Sequence, residues 1–152
     1  MTDIIHRVGI KAPVSSVYDA LSTIDGVAGW WTRETRGVSK PGEHIQVLFS
    51  TPTGERLGGM NMEVVALDAG RQVHWRFRDG PAEWIGTDAV FRLSQEGDYT
   101  IVRFAHQNWR EAVEFTEHCS TKWATFLMSL KSFVETGKGR PAPNDVWIGN
   151  WH

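Results

Sequence analysis

Apolar residues recur along this chain with two different periods, and the change from one to the other divides it. Near the C-terminal end, Cys119, Trp123, Phe126, Leu127, Leu130, Phe133 and Val134 fall at i, i+4, i+7, i+8, i+11, i+14 and i+15, which is one face of a helix. Lys122, Thr125, Ser129, Lys131, Ser132 and Glu135 occupy the opposite side. The spacing predicts a long helix within Asn108–Glu135, stopped by Gly137 and kept from resuming by Pro141. Asn108 with Glu111 three residues on fits a capping box, and the regular pattern is firm from about Glu117.

Ahead of this helix the period is mostly two. Asp3 to Lys11 alternates, with His6, Val8 and Ile10 on one side. Pro13 then opens a short helix striped by Val14, Val17, Tyr18 and Leu21, and Ile24–Trp31 makes a second short helix or turn. Strands separated by Gly- and Pro-bearing turns follow: Glu34–Val38, Glu43–Ser50, Leu57–Leu67, Gln72–Arg78, Ile85–Ser94 and Thr100–Gln107. The Gly58-Gly59 pair predicts a bulge. Strands joined by short turns pair antiparallel. Seven of them make a sheet roughly 30 Å wide, whereas a helix with its side chains is about 10–12 Å across. A flat sheet would leave most of its apolar face bare, so the sheet must curl around the helix. The expected class is α+β: a curved antiparallel sheet of about seven strands gripping a long C-terminal helix, with two short helices after the first strand. Curling leaves space between helix and strands that side chains or a ligand must fill.

Composition narrows the partners. The 152 residues suit one domain, expected over residues 1–140, with 141–152 as a tail. A formal charge of −2 and the lack of a basic run argue against nucleic acid. No leader-like start and no apolar run of membrane-spanning length are seen, and a single cysteine suits a reducing compartment, so a cytoplasmic protein is expected. Eight tryptophans, spread along the chain, point to an aromatic interior or cleft.

The element order resembles the helix-grip fold of the START and Bet v 1-like (SRPBCC) superfamily. More closely, the chain resembles single-domain relatives of the C-terminal domain of the activator of heat shock protein 90 ATPase. The residues that carry this are Ala12-Pro13, Trp30-Trp31, Trp84-Ile85-Gly86-Thr87 leading to Phe91 and Leu93, Phe104 with His106, Cys119-Ser120 before Trp123, and Leu127 through Leu130-Lys131 to Glu135-Thr136-Gly137. The resemblance implies a cavity for a lipid-like or polyketide-like molecule. Three functions follow from it as expectations: binding of a small hydrophobic or amphipathic ligand, a polyketide cyclase or dehydratase-like enzyme in the same cavity, and a co-chaperone or stress-response protein.

Alternation assigns Phe49, Met60, Met62, Trp75, Phe77, Phe91 and Phe104 to the inner face, opposite Trp123, Phe126, Leu127 and Leu130 of the helix. Each is core by default; as a set, flat rings on a curled sheet pack with gaps, and they are the expected ligand-binding residues. Trp30 and Trp31 either guard an entrance or plug an open end. His6 and His106 share the inner face, where a pair of imidazoles would orient a polar group or shuttle a proton, or simply be satisfied in the core. The enzyme reading puts turnover on His106. His118 beside Cys119 invites a metal, but no ligand spacing supports one, and no cofactor is expected. Cys119 is expected to be a buried filler, and Arg76, Arg78, Arg92 and Arg103 to lie outside, as does Asp88. Trp147 and Trp151 are costly in water, so the tail is expected to dock on this domain or on a second copy.

Overall fold

The computed structural model of the chain describes residues 1–151. Its elements run β1 (Thr2–Ile10), α1 (Val14–Ser22), α2 (Ile24–Trp30), β2 (Glu34–Gly37), β3 (His44–Ser50), β4 (Arg56–Asp68), β5 (Gln72–Asp79), β6 (Asp88–Glu96), β7 (Tyr99–Trp109) and α3 (Glu114–Thr136). The strands form one antiparallel sheet in the order β1-β7-β6-β5-β4-β3-β2. From β2 to β7 each strand pairs with the next in sequence, while α1 and α2 carry the chain from β1 to the opposite edge. The result is the curved sheet around a long helix that the two periods predict.

Curvature is concentrated in the thirteen-residue β4, which carries register shifts against both neighbours. One lies opposite Phe49 and Ser50, where β4 runs Arg56 to Gly58, beside the predicted bulge. Side chains at alternate positions of β5, β6 and β7 point at α3: Trp75, Phe77, Phe91, Val102 and Phe104 are all buried. From α3 they meet Cys119, Trp123, Phe126, Leu127 and Leu130, also buried, on the stripe read from the sequence.

Two boundaries differ from the sequence reading. The capping box at Asn108 does not form, because β7 continues to Trp109 and Asn108 turns through a left-handed φ of 73° while its N–H is taken by the Asp3 carboxylate at 3.0 Å. The helix starts instead at Glu114, where the Thr116 hydroxyl accepts from the Val113 N–H at 3.1 Å and Glu114 and Glu117 complement the positive helix end. Its other end matches: Gly137, at φ 82°, donates its N–H to the Phe133 carbonyl. Strand β6 starts at Asp88 rather than Ile85, because the Trp84 N–H bonds the Pro81 carbonyl and the Thr87 N–H the Trp84 carbonyl, which turns that segment.

Polar contacts fix the rod in its grip. Lys131 Nζ donates to the Gly9 carbonyl and to Glu135, which also accepts from the Lys11 N–H. Ser129 Oγ donates to the Trp30 carbonyl at 2.8 Å and accepts from the Arg140 N–H at 2.7 Å, joining α2, α3 and the tail. On the convex face the expected arginine stripe is partly neutralised: Arg76 forks onto Asp88 and Arg78 onto Glu63. Asp88 faces outward as expected and is nevertheless 4 % exposed. Burial alone would raise its carboxyl, but the Arg76 fork and the His74 ring more than offset that and hold it below the usual carboxylate range.

Candidate functional site, a cavity beside an aromatic plug

Rings fill the part of the grip formed by α2, β5, β6, β7 and the middle of α3. Trp31 stacks between Trp30 and Trp75, at 5.8 Å from each and nearly parallel to both. Phe91 meets Trp30 and Trp75 edge-on, and Phe104 lies 4.5 Å from Trp123. Trp30 and Trp31 are therefore a plug, buried to 0 % and 2 % exposure, rather than an entrance. Trp30, Met62, Trp75, Phe77, Phe91, Phe104, Leu127 and Leu130 are spent on this core and do not line the cavity described below.

His106 belongs to the plug as well. The Trp123 indole N–H donates to its Nδ1 at 3.1 Å, so the neutral ring carries its proton on Nε2 and donates to the Thr87 hydroxyl at 2.7 Å. Thr87 in turn donates to the Trp84 carbonyl at 2.6 Å. Burial pushes the His106 pKa down to about 3, with the Asp88 charge pulling weakly the other way. A ring that is neutral, fully bonded and outside the cavity fits the satisfied-core alternative rather than the proton shuttle. His6 lies on the inner face too, but its Nε2 bonds the Ser120 carbonyl at 3.0 Å, so the two imidazoles serve different partners and do not act together.

The hollow opens to one side of this plug, between the first half of α3, the bent ends of β3 and β4, and the turn after β5. Its volume is about 460 Å³, within the range of small-molecule sites. Of the expected residues, Trp31, Phe49, Met60, Trp123 and Phe126 line it. Leu57, Asp79, Trp84, Phe115, His118, Cys119, Lys122, Asp145 and Trp147 are also on the wall without having been anticipated as lining residues. Phe115 lies one turn before Cys119 on the same face, ahead of the point near Glu117 from which the period is firm; Lys122 falls on the side the period assigns to water, Trp84 sits in a turn where no period applies, and Asp145 is far away in sequence. Trp147 was legible only as an apolar residue in need of cover.

The tail straps across this opening. Ala142 pairs with Thr32 in a parallel bridge, its N–H donating to the Trp31 carbonyl and its carbonyl accepting from the Arg33 N–H. Lys122 Nζ then holds Asp145 at 2.5 Å, bonds the Val146 carbonyl, and lies 5.2 Å from the centre of the Phe126 ring. Trp147 remains 47 % exposed at the rim, and Trp151 meets Phe115 and His118. Burial pushes the Cys119 thiol up to about 12, the nearby Trp84 indole offsetting this slightly, so the sulfur is a neutral filler. Among the described residues no three His, Cys, Asp or Glu side chains converge as metal ligands would, and no helix is long and apolar enough to cross a membrane.

The family model described as activator of Hsp90 ATPase homolog 1-like protein matches residues 11–135. The solution structure of the Aha1 dimer from Colwellia psychrerythraea is 41 % identical, covers 91 % of this chain and 100 % of its own, and superposes with a TM-score of 0.78. SSP2350 from Staphylococcus saprophyticus, 17 % identical over 93 % of this chain and 98 % of its own with a TM-score of 0.73, shares the fold. So does CalU16 from Micromonospora echinospora, 20 % identical over 93 % and 77 % with a TM-score of 0.71. No curated protein gives a significant match.

Proposed function

Since the chain belongs to the family of activator of Hsp90 ATPase homolog 1-like proteins, we propose that it acts as a receptor for a small apolar or amphipathic molecule held between β3, β4 and α3. The carrying observation is the cavity of about 460 Å³. Without a guest this open space holds water against a mostly apolar wall, and covering that wall with an apolar body is favourable in proportion to the area removed from water. The wall is built as ligand sites usually are, mostly apolar and aromatic, with a few charged groups, Asp79 and the Lys122–Asp145 pair.

Four tryptophans, Trp31, Trp84, Trp123 and Trp147, border the space, so occupancy reports on itself through intrinsic fluorescence. Titration with anilinonaphthalene sulfonate and with a panel of fatty acids, alcohols and polycyclic aromatics is expected to change tryptophan emission saturably. Native mass spectrometry is expected to show a stoichiometry of one ligand per chain. Emission indifferent to every member of the panel, with no adduct by mass, overturns the reading. A second copy is the proposed macromolecular partner, supported by the 41 % identical relative whose structure is that of a dimer; sedimentation at monomer mass across the accessible concentration range would refute it.

A further inference from the structure

The polar end of the cavity is built around one ammonium. Lys122 reaches it from α3 with its side chain only 14 % exposed, against Asp145 at 12 %. A lysine this covered needs a counter-charge, since an unpaired buried cation is strongly unfavourable. The chain supplies that counter-charge from the tail, and the carboxylate it uses is itself a wall of the cavity. Two of the three ammonium donors are taken by Asp145 and the Val146 carbonyl. Asp79, the other carboxylate on the wall, is exposed at the rim and accepts from the Gly80 N–H.

Resting on the receptor reading above, we infer that the guest is an amphipathic acid, whose carboxylate takes the place of Asp145 on Lys122 while its apolar body lies against Phe49, Met60, Trp123 and Phe126. Asp145 stands in for the head group in the empty protein. The exchange replaces one carboxylate by another, so the ammonium is never left without a partner, and the guest's apolar body supplies the net gain. A guest bearing a hydroxyl in place of the carboxylate leaves Asp145 on Lys122 and gains nothing from it. Binding of an acid therefore releases the Asp145 carboxylate from Lys122, while the Val146 carbonyl keeps its bond to the ammonium and Trp147 its place on the wall.

The test compares decanoate with decanol, matched in length and differing in the charged head, by calorimetry and native mass spectrometry on the wild type, Lys122→Met and Asp145→Asn. Removal of the internal competitor in Asp145→Asn is expected to raise the ratio of acid to alcohol affinity by about tenfold or more, the scale of a charge-assisted hydrogen bond. Lys122→Met, which keeps an apolar stem beside Phe126, is expected to abolish the preference for the acid and keep decanol binding. An acid-to-alcohol ratio near one in both wild type and Asp145→Asn, with decanol bound, overturns this inference and leaves the receptor reading standing. If neither compound binds any of the three proteins, the inference fails, and the panel titration described above decides the receptor reading separately. Should Lys122→Met not fold, the ratio in Asp145→Asn decides alone.

Discussion

Two stretches of the same concave sheet face the same helix, and only one of them is full. Where β5, β6 and β7 pass under α3, inward positions carry Trp75, Phe77, Phe91, Phe104 and His106, and all are buried with rings in contact. Where β3 and β4 bend away, the inward position between Arg56 and Met60 is Gly58, and a Cβ built there would meet nothing within 4 Å. The void lies where the alternation demands a side chain and the sequence supplies none. A helix-grip fold therefore obliges the protein to have a hollow only in outline; whether it stays hollow is decided strand by strand. His106 illustrates the other outcome, a polar group drawn into the plug with every bond made.

The sharpest way to break this comparison is to hollow the full half. Phe91→Ala removes a ring held by Trp30, Trp75, Phe104 and Trp123, and is expected to cost about 3–5 kcal/mol in urea unfolding. A loss below about 1 kcal/mol would show that this side is loosely packed and the contrast false.

A smaller effect is expected from pH. Above about pH 6.5 the His106 ring is neutral folded and unfolded, so it adds no pH dependence. From there down toward 3 the unfolded chain takes up a proton that the folded chain refuses. Stability therefore falls with falling pH, by at most about 1.4 kcal/mol per unit from this residue. His106→Gln, which retains a donor and an acceptor, is expected to flatten that slope and to leave ligand affinity within about twofold, because the ring lies outside the cavity. A large loss of affinity would return His106 to the site.

The smallest change is expected at the rim. Trp147→Ala touches a side chain nearly half in water and is expected to shift unfolding by about 0.5 kcal/mol or less, while weakening ligand binding several-fold through the lost wall. If it destabilises the fold as much as a core truncation, the tail is part of the plug rather than a cover for the hollow.

Much of this was legible from one-dimensional periods. The stripe from Cys119 to Leu130, the Gly137 stop and the inward set on β5 to β7 follow from local geometry, and each is buried where expected. The helix start was not legible, because Asn108 is as good a residue for a left-handed strand end as for a cap. Among the expected lining residues, those on β5, β6 and β7 proved to be core and those near the β3–β4 bend faced the cavity. Period alone states which way a side chain points and not what it meets there.

What the sequence determined by itself was the order of elements, the inward face of each and the need for the sheet to curve, since all three depend on residues near one another along the chain. Tertiary structure alone decided where rings interlock and where they leave space, and which distant charge answers Lys122. Asp145 lies 23 residues from it. Trp84 enters the wall from a turn. Packing and charge pairing depend on the distance between atoms in the folded chain, and no repeat along the sequence encodes that distance.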